Sequence, residues 1–233
     1  MNTHEALIFL PGMMCDARLF MPQISHISAS HTIQVATLTR HDTMQALAEE
    51  VLANAPPIFA LAGLSMGGIV AMEIMRIAPQ RVSRLALLDT NPKAELPEVT
   101  ERRWPQIEKV KAGQLRAVMR DEMKPNYLSD GAHQGAILDT CMAMAESLGP
   151  EVFIRQSLAL MNRPDQQDTL RKVEIPTLIL CGENDSLCPL ERHELMQQLI
   201  ANSQLTLIPG AGHLPTLEQP ELTNEALMQW LKQ

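Results

Sequence analysis

Ser65 stands in Gly63-Leu64-Ser65-Met66-Gly67, a Gly-x-Ser-x-Gly spacing in which residues without side chains flank the hydroxyl two places to either side. Small residues there let a strand and a helix approach closely across a strained turn, and the turn would hold the Ser65 hydroxyl out above a sheet. So short a pattern also occurs by chance in unrelated loops, so its surroundings decide its weight. Ile58, Phe59, Leu61 and Ala62 suit a buried strand, and Ile69, Val70, Met72, Ile74 and Ile77 give an apolar helical stripe ending before Pro79. The spacing therefore predicts strand, sharp turn, helix.

A serine hydroxyl is a weak nucleophile, and acyl transfer needs a base beside it and a third group to orient that base. Cys181-Gly182-Glu183-Asn184-Asp185 places an acidic loop after one apolar run, and Pro209-Gly210-Ala211-Gly212-His213 places a histidine in a glycine-containing loop after the next. Ser65, Asp185 and His213 thus follow the order serine, acid, histidine at strand ends on one side of a sheet. No other histidine combines a late position with a Gly-x-Gly-His turn after a strand, which favours His213 as general base and later general acid. Asp89, at another strand end, and Glu183, in the same loop, are the rivals to Asp185. Any of these carboxylates can equally serve as a cap or turn acceptor. A tetrahedral intermediate also needs backbone donors for its oxyanion: the N–H of Met66, after the nucleophile, and that of Met13, in the loop after the first strand.

The elements that must position these groups alternate along the chain. Ala6–Leu10 reads as a strand ending at Pro11-Gly12, followed by a short helix over 17–24, a strand over 33–38 and a helix over 44–53. Pro56-Pro57 breaks the chain before the Ser65 strand, and 82–88 is a further strand. Such alternation implies a mainly parallel sheet with helices on both faces. From Thr90 to about Glu174 the rhythm stops. Helical patterns over 104–122, 131–148 and 151–161 carry no convincing strand, so residues 90–174 are expected to be a helical cap inserted into a core of 1–89 and 175–233. Strands then return over 176–181 and 204–208, with helices over 190–199 and 220–232. Arg155, Gln156, Arg163 and Asp165 stand out near the cap's return, either as ligands for an acidic substrate or as solvated and structurally paired groups.

Composition narrows the partners. A formal charge of -8, with no cluster of lysine or arginine, argues against binding a phosphate backbone, so no nucleic-acid partner is expected. No apolar run approaches the roughly 20 residues of a membrane-spanning helix, and Met1 to Thr3 leave no room for a secretory leader before the first strand. A soluble, cytoplasmic protein with no membrane partner is the expectation. Cys15, Cys141, Cys181 and Cys188 form no CxxC pair, which suits reduced thiols. The 15 methionines suit core filling or an adaptable apolar pocket.

With these pieces placed, the chain resembles the α/β-hydrolase superfamily, particularly small serine hydrolases with helical caps such as bacterial carboxylesterases and 3-oxoadipate enol-lactonases. The resemblance spans nearly the whole chain through Leu10-Pro11-Gly12-Met13-Met14-Cys15-Asp16, the Gly63 to Gly68 turn, the run from Pro176 to Pro189 and that from Gly210 to Pro220. It implies Ser65 as nucleophile, Asp185 as acid, His213 as base, and Met13 and Met66 as oxyanion donors, with a small ester-like substrate and no cofactor or metal. Pro11-Gly12 replaces the family's usual His-Gly, and the chain starts too late for the family's first two strands, implying a sheet of about six strands. The implied activity is hydrolysis of an ester, thioester or lactone through an acyl-serine. A binding protein on the same fold, or a cofactor-free perhydrolase or haloperoxidase, are the alternatives.

Overall fold

The computed structural model describes residues 5–129 and 134–233. The unbroken apolar run after Glu5 forms β1 (Ala6–Leu10), buried from Leu7 onward. A 3-10 turn follows, capped by the Asp16 carboxylate accepting the Arg18 N–H, and leads into α1 (Met21–Ile27). Next come β2 (Ile33–Val35), α2 (Met44–Asn54), β3 (Phe59–Leu64), α3 (Met66–Ile77) and β4 (Val82–Leu88). Between β4 and the next strand lie α4 (Pro97–Lys111), α5 (Leu115–Val118), α6 (Gln134–Leu148), α7 (Pro150–Met161) and α8 (Gln167–Leu170), with no strand among the described residues. The chain then returns through β5 (Thr177–Gly182), α9 (Leu190–Leu199), β6 (Ser203–Ile208), α10 (Pro215–Glu218) and α11 (Pro220–Trp230).

All six strands pair in parallel in the order β2-β1-β3-β4-β5-β6. A parallel sheet must be covered on both faces, and the alternation of side chains along each strand divides the core accordingly. Ile8, Leu10, Leu61, Leu85 and Leu87 pack with α2 and α3 on one face, while Leu7, Phe9, Ala60, Ala62 and Leu88 pack with α1 and α11 on the other. The helices after β4 join both cores, through Ile107, Val110 and Phe153 on the first and Cys141 and Met144 on the second. All parallel strands deliver their C-terminal ends to one edge, where ligands of open α/β sheets bind.

Several boundaries depart from the sequence expectation for identifiable reasons. β2 stops at Val35 rather than reaching Leu38, because the Leu38 and Thr39 carbonyls turn away to accept from the side chains of Gln156 (2.7 Å) and Arg155 (2.8 Å) on α7. The helix expected over 104–122 begins instead at Pro97 and runs through Pro105 to Lys111. Proline is best accommodated in a helix's first turn, where Pro97 sits; at Pro105 it removes one internal hydrogen bond without ending the helix. Gly113, at φ 82°, then breaks the path before α5 and one π-helical turn over Met119–Met123. The first helix begins as a 3-10 turn and ends at Ile27. The expected helix start at Gly131 lies outside the described residues, where α6 is seen from Gln134 onward. Among the described residues no helix is long and apolar enough to cross a membrane.

Candidate active site

β3 ends at Leu64 and α3 begins at Met66, so Ser65 makes the turn alone, with φ 54° and ψ -116°. That conformation is strained for a residue with a Cβ and persists only where the surroundings enforce it. The enforcement is backbone against backbone. A Cβ on Gly63 would lie 2.3 Å from the Gly67 carbonyl oxygen, and one on Gly67 would lie 2.0 Å from that of Leu10. The Ser65 N–H donates to the Leu88 carbonyl (2.9 Å), and the Thr90 hydroxyl donates to the Ser65 carbonyl (2.7 Å). Strand, turn and helix are thus locked together, and the Ser65 hydroxyl faces the open edge of the sheet.

His213 meets it there. Its Nε2 lies 2.9 Å from Ser65 Oγ and its Nδ1 lies 2.8 Å from Asp185 Oδ2. Asp185 Oδ1 accepts the N–H groups of Leu187 (2.8 Å) and Cys188 (3.0 Å). Burial alone would raise the Asp185 carboxyl, but the His213 imidazole and the two loop amides outweigh it and hold the group below its usual range. An ionised Asp185 accepts from Nδ1–H, which leaves the Nε2 lone pair toward the serine. The histidine loop is itself fixed: His213 N–H donates to the Tyr127 carbonyl (2.8 Å), and the Glu218 carboxylate accepts from the N–H groups of Gly212 (3.0 Å), Leu214 (3.0 Å) and Ser129 (2.8 Å). A Cβ on Gly182 would sit 1.9 Å from the Gly212 carbonyl, so the end of β5 and the histidine loop also touch backbone to backbone.

The two rival carboxylates make other contacts. Glu183 accepts from the Gly210 N–H (3.2 Å). Asp89, fully buried and at φ 44°, accepts from the Gly182 N–H (2.8 Å), and its Oδ2 has no hydrogen-bond partner among the described residues. Burial, and then the nearby negative charge of Asp185, push the Asp89 carboxyl well up from its ordinary value. Behind it, burial pushes His193 down to about 4, and its Nε2 accepts the Thr90 N–H at 3.3 Å. Asp89 and His193 therefore brace the strand ends through the Gly182 and Thr90 amides.

Met66 follows the serine in the chain, and Met13 shares a cavity wall with it. Met66 opens α3, where a helix's first N–H groups have no internal acceptor. Among the described residues the Met13 N–H has no protein acceptor, whereas the next N–H, that of Met14, is taken by Gln156 Oε1 at 2.8 Å. Since Gln156 also donates to the Leu38 carbonyl, this buried amide ties the loop after β1 to α7 and β2. Of the other polar residues singled out in the sequence, Arg155 binds Thr39, Asp165 accepts from the Gln167 N–H (3.0 Å), and Arg163 alone lines the cavity over Ser65. That cavity, of about 510 Å³, has Ser65, His213 and Met13 in its wall and is flanked by Leu96, Val99 and Leu160 from the helical region. Sequence reasoning missed Glu218, Thr90, Glu95 and Arg103. Only the Glu218-containing segment carried a signal, as part of the run after His213.

Comparison with known proteins places the fold. The Alpha/beta hydrolase family model matches residues 9–226. A pimeloyl-[acyl-carrier protein] methyl ester esterase from Edwardsiella ictaluri is 26% identical over 96% of this chain and 92% of its own. Its namesake from Xanthomonas oryzae is 26% identical over 97% and 94%. Among solved structures, a thermophilic esterase from Thermogutta terrifontis with malate bound superposes with a TM-score of 0.90 at 28% identity, covering 100% of this chain and 91% of that one. The enol-lactonase from Burkholderia xenovorans shares the fold at a TM-score of 0.90 and 17% identity, covering 100% and 93%. The length of the family match, on a six-stranded parallel sheet with a serine turn at its open edge, shows that the chain belongs to the alpha/beta hydrolase family.

Proposed function

We propose that the protein hydrolyses carboxylic esters through an acyl-Ser65 intermediate, with residues 90–174 forming a cap over a core of 1–89 and 175–233. The observation that carries this reading is the unbroken relay from Asp185 through His213 to Ser65, with bonds of 2.8 and 2.9 Å. Catalytic relays require contacts of this length between nucleophile, base and orienting group. As Ser65 Oγ attacks the ester carbonyl, His213 Nε2 takes its proton. Asp185 remains ionised and stabilises the imidazolium. The oxyanion accepts from the N–H groups of Met13 and Met66, whose positions are set by the backbone. Collapse expels the alcohol, protonated by His213, and a water activated by the same imidazole releases the acid.

Ester hydrolysis is also the activity in the names of the sequence relatives, whose ester alcohol is methanol. The Thermogutta neighbour, an esterase, holds a small dicarboxylate. The relatives' methyl ester favours a carboxylic ester with a small alcohol as substrate. The test is a fluorophosphonate probe followed by peptide mass spectrometry: modification of Ser65, absent in Ser65→Ala, is the expected result. A folded protein that remains unmodified, or is modified elsewhere, would reject the assignment.

A further inference from the structure

The cavity over Ser65 is strongly one-sided in charge. Among the described residues four arginines line it, Arg102, Arg103, Arg163 and Arg192, against one acidic residue, Glu95, in a chain whose overall charge is -8. Positive charge gathered in the cleft of an otherwise acidic protein focuses anions toward that cleft.

The centre of this charge is largely out of water. The Glu95 side chain, 1% exposed, is shared by Arg103, whose Nε lies 2.8 Å from Oε1, and Arg163, which pairs with the other oxygen. Two largely buried cations sharing one anion leave a positive charge uncompensated where screening is weak. Burial, opposed by Glu95 and reinforced by the charge of Arg103, lowers the Arg163 guanidinium from its ordinary value. Arg163 is nevertheless anchored, since its Nε also donates to the Lys93 carbonyl (2.9 Å). Arg103 is held less completely. Besides Glu95, its only partner among the described residues is Met13 Sδ, 3.8 Å from Nη1, and a thioether is a weak acceptor.

The guanidinium of Arg103 therefore retains donors facing the cavity, on the wall formed by Met13. That wall adjoins the nucleophile, because the Cβ position at Gly12 lies 3.5 Å from Ser65 Cβ. A guanidinium fork matches a carboxylate in a planar, two-point contact. At about 510 Å³ the cavity lies in the size range of small-molecule sites and has room for an acyl chain between the two ends.

We infer that the site selects esters carrying a second, ionised carboxylate, which Arg103 binds while Glu95 and Arg163 hold that arginine in place. This rests on the esterase reading above and names its substrate class.

The test compares kcat/KM for monomethyl against dimethyl glutarate, where the charge lies on the acyl side, and for 4-acetoxybenzoate against phenyl acetate, where it lies on the alcohol side. A preference for the charged ester of about tenfold or more in one pair is expected, and it identifies the side. Arg103→Met should lower that charged-to-neutral ratio about 10- to 100-fold, the worth of one charge-assisted contact, and Arg103→Lys should restore part of it. Glu95 keeps Arg163 in either variant, so the local fold has a remaining ion pair. Ratios near one in the wild-type protein, or a ratio unmoved by Arg103→Met, would overturn the inference and leave Arg103 a structural partner of Glu95. Calorimetry with glutarate separates the two readings. Binding of glutarate that Arg103→Met abolishes, without turnover of any ester, supports the carboxylate site and sinks the esterase. Turnover with no charge preference does the reverse.

Discussion

The loops at the strand ends and the helices between β4 and β5 face the same cavity but are held by different forces. At the strand ends, position is fixed by backbone: glycines pressed against carbonyls at Gly63, Gly67 and Gly182, and amides gathered by Glu218 and Asp185. In the helical region it is fixed by long side chains, with Gln156 spanning α7 to the loop after β1, and Arg103 and Arg163 meeting on Glu95. Backbone contacts tolerate almost no displacement, which suits a proton relay. Side-chain pairs can be exchanged without rebuilding the fold, which suits specificity.

That contrast breaks first at glycine. Gly67→Ala drives a methyl into the Leu10 carbonyl at 2.0 Å and should destabilise by about 3 kcal/mol. In the helical region Gly113→Ala meets nothing within 4 Å among the described residues and bears only its φ of 82°, for about 1 kcal/mol. Chemical denaturation of both variants measures the gap; equal losses would show that the strand-end turn is not held by backbone contact.

Next in size is the charged cluster. Glu95→Ala leaves two largely buried guanidinium groups facing each other and should destabilise by about 3 kcal/mol at most, the low end for breaking a buried pair, because both arginines keep some access to water. A thermal midpoint unchanged in Glu95→Ala would remove the cluster from the account of how this region is held.

The smallest effect is one of pH, and it contrasts two buried aspartates. Asp89, raised by burial, binds its proton more tightly folded than unfolded. Its contribution is therefore complete below the usual carboxylate range and is lost as pH rises through its raised value. Asp185, lowered by His213 and the loop amides, contributes above that range and loses its contribution as pH falls through its own value. Asp89→Asn has no proton to lose while Asp185 stays in place. Its stability relative to wild type should accordingly climb over the pH window that opens above the usual carboxylate range. Parallel stability curves across that window would mean that Asp89 is ionised in the folded protein.

Legibility in the sequence follows the same division. The strand-turn-helix at Ser65 could be read because its requirements are local: an apolar run, two glycines at fixed offsets and a helical stripe. The parallel sheet followed from the alternation of such runs. The choice between Asp185 and Asp89 could not be closed locally, since both end strands; it depends on the approach of Gly182 to Gly212, which brings one loop and not the other to His213. The arginine cluster was hidden for a further reason. Arg103 reaches Glu95 and Met13 only because α4 starts at Pro97 and continues through Pro105, where local rules favour a helix start.

The central claim is a covalent acyl group on Ser65, and its most direct test is to trap one. Acid-quenching the protein milliseconds after mixing with p-nitrophenyl acetate, then digesting it for mass spectrometry, should give the Ser65 peptide heavier by one acetyl group. His213→Ala should abolish that adduct. Turnover of the ester with no acetyl on Ser65 at any quench time would contradict the account.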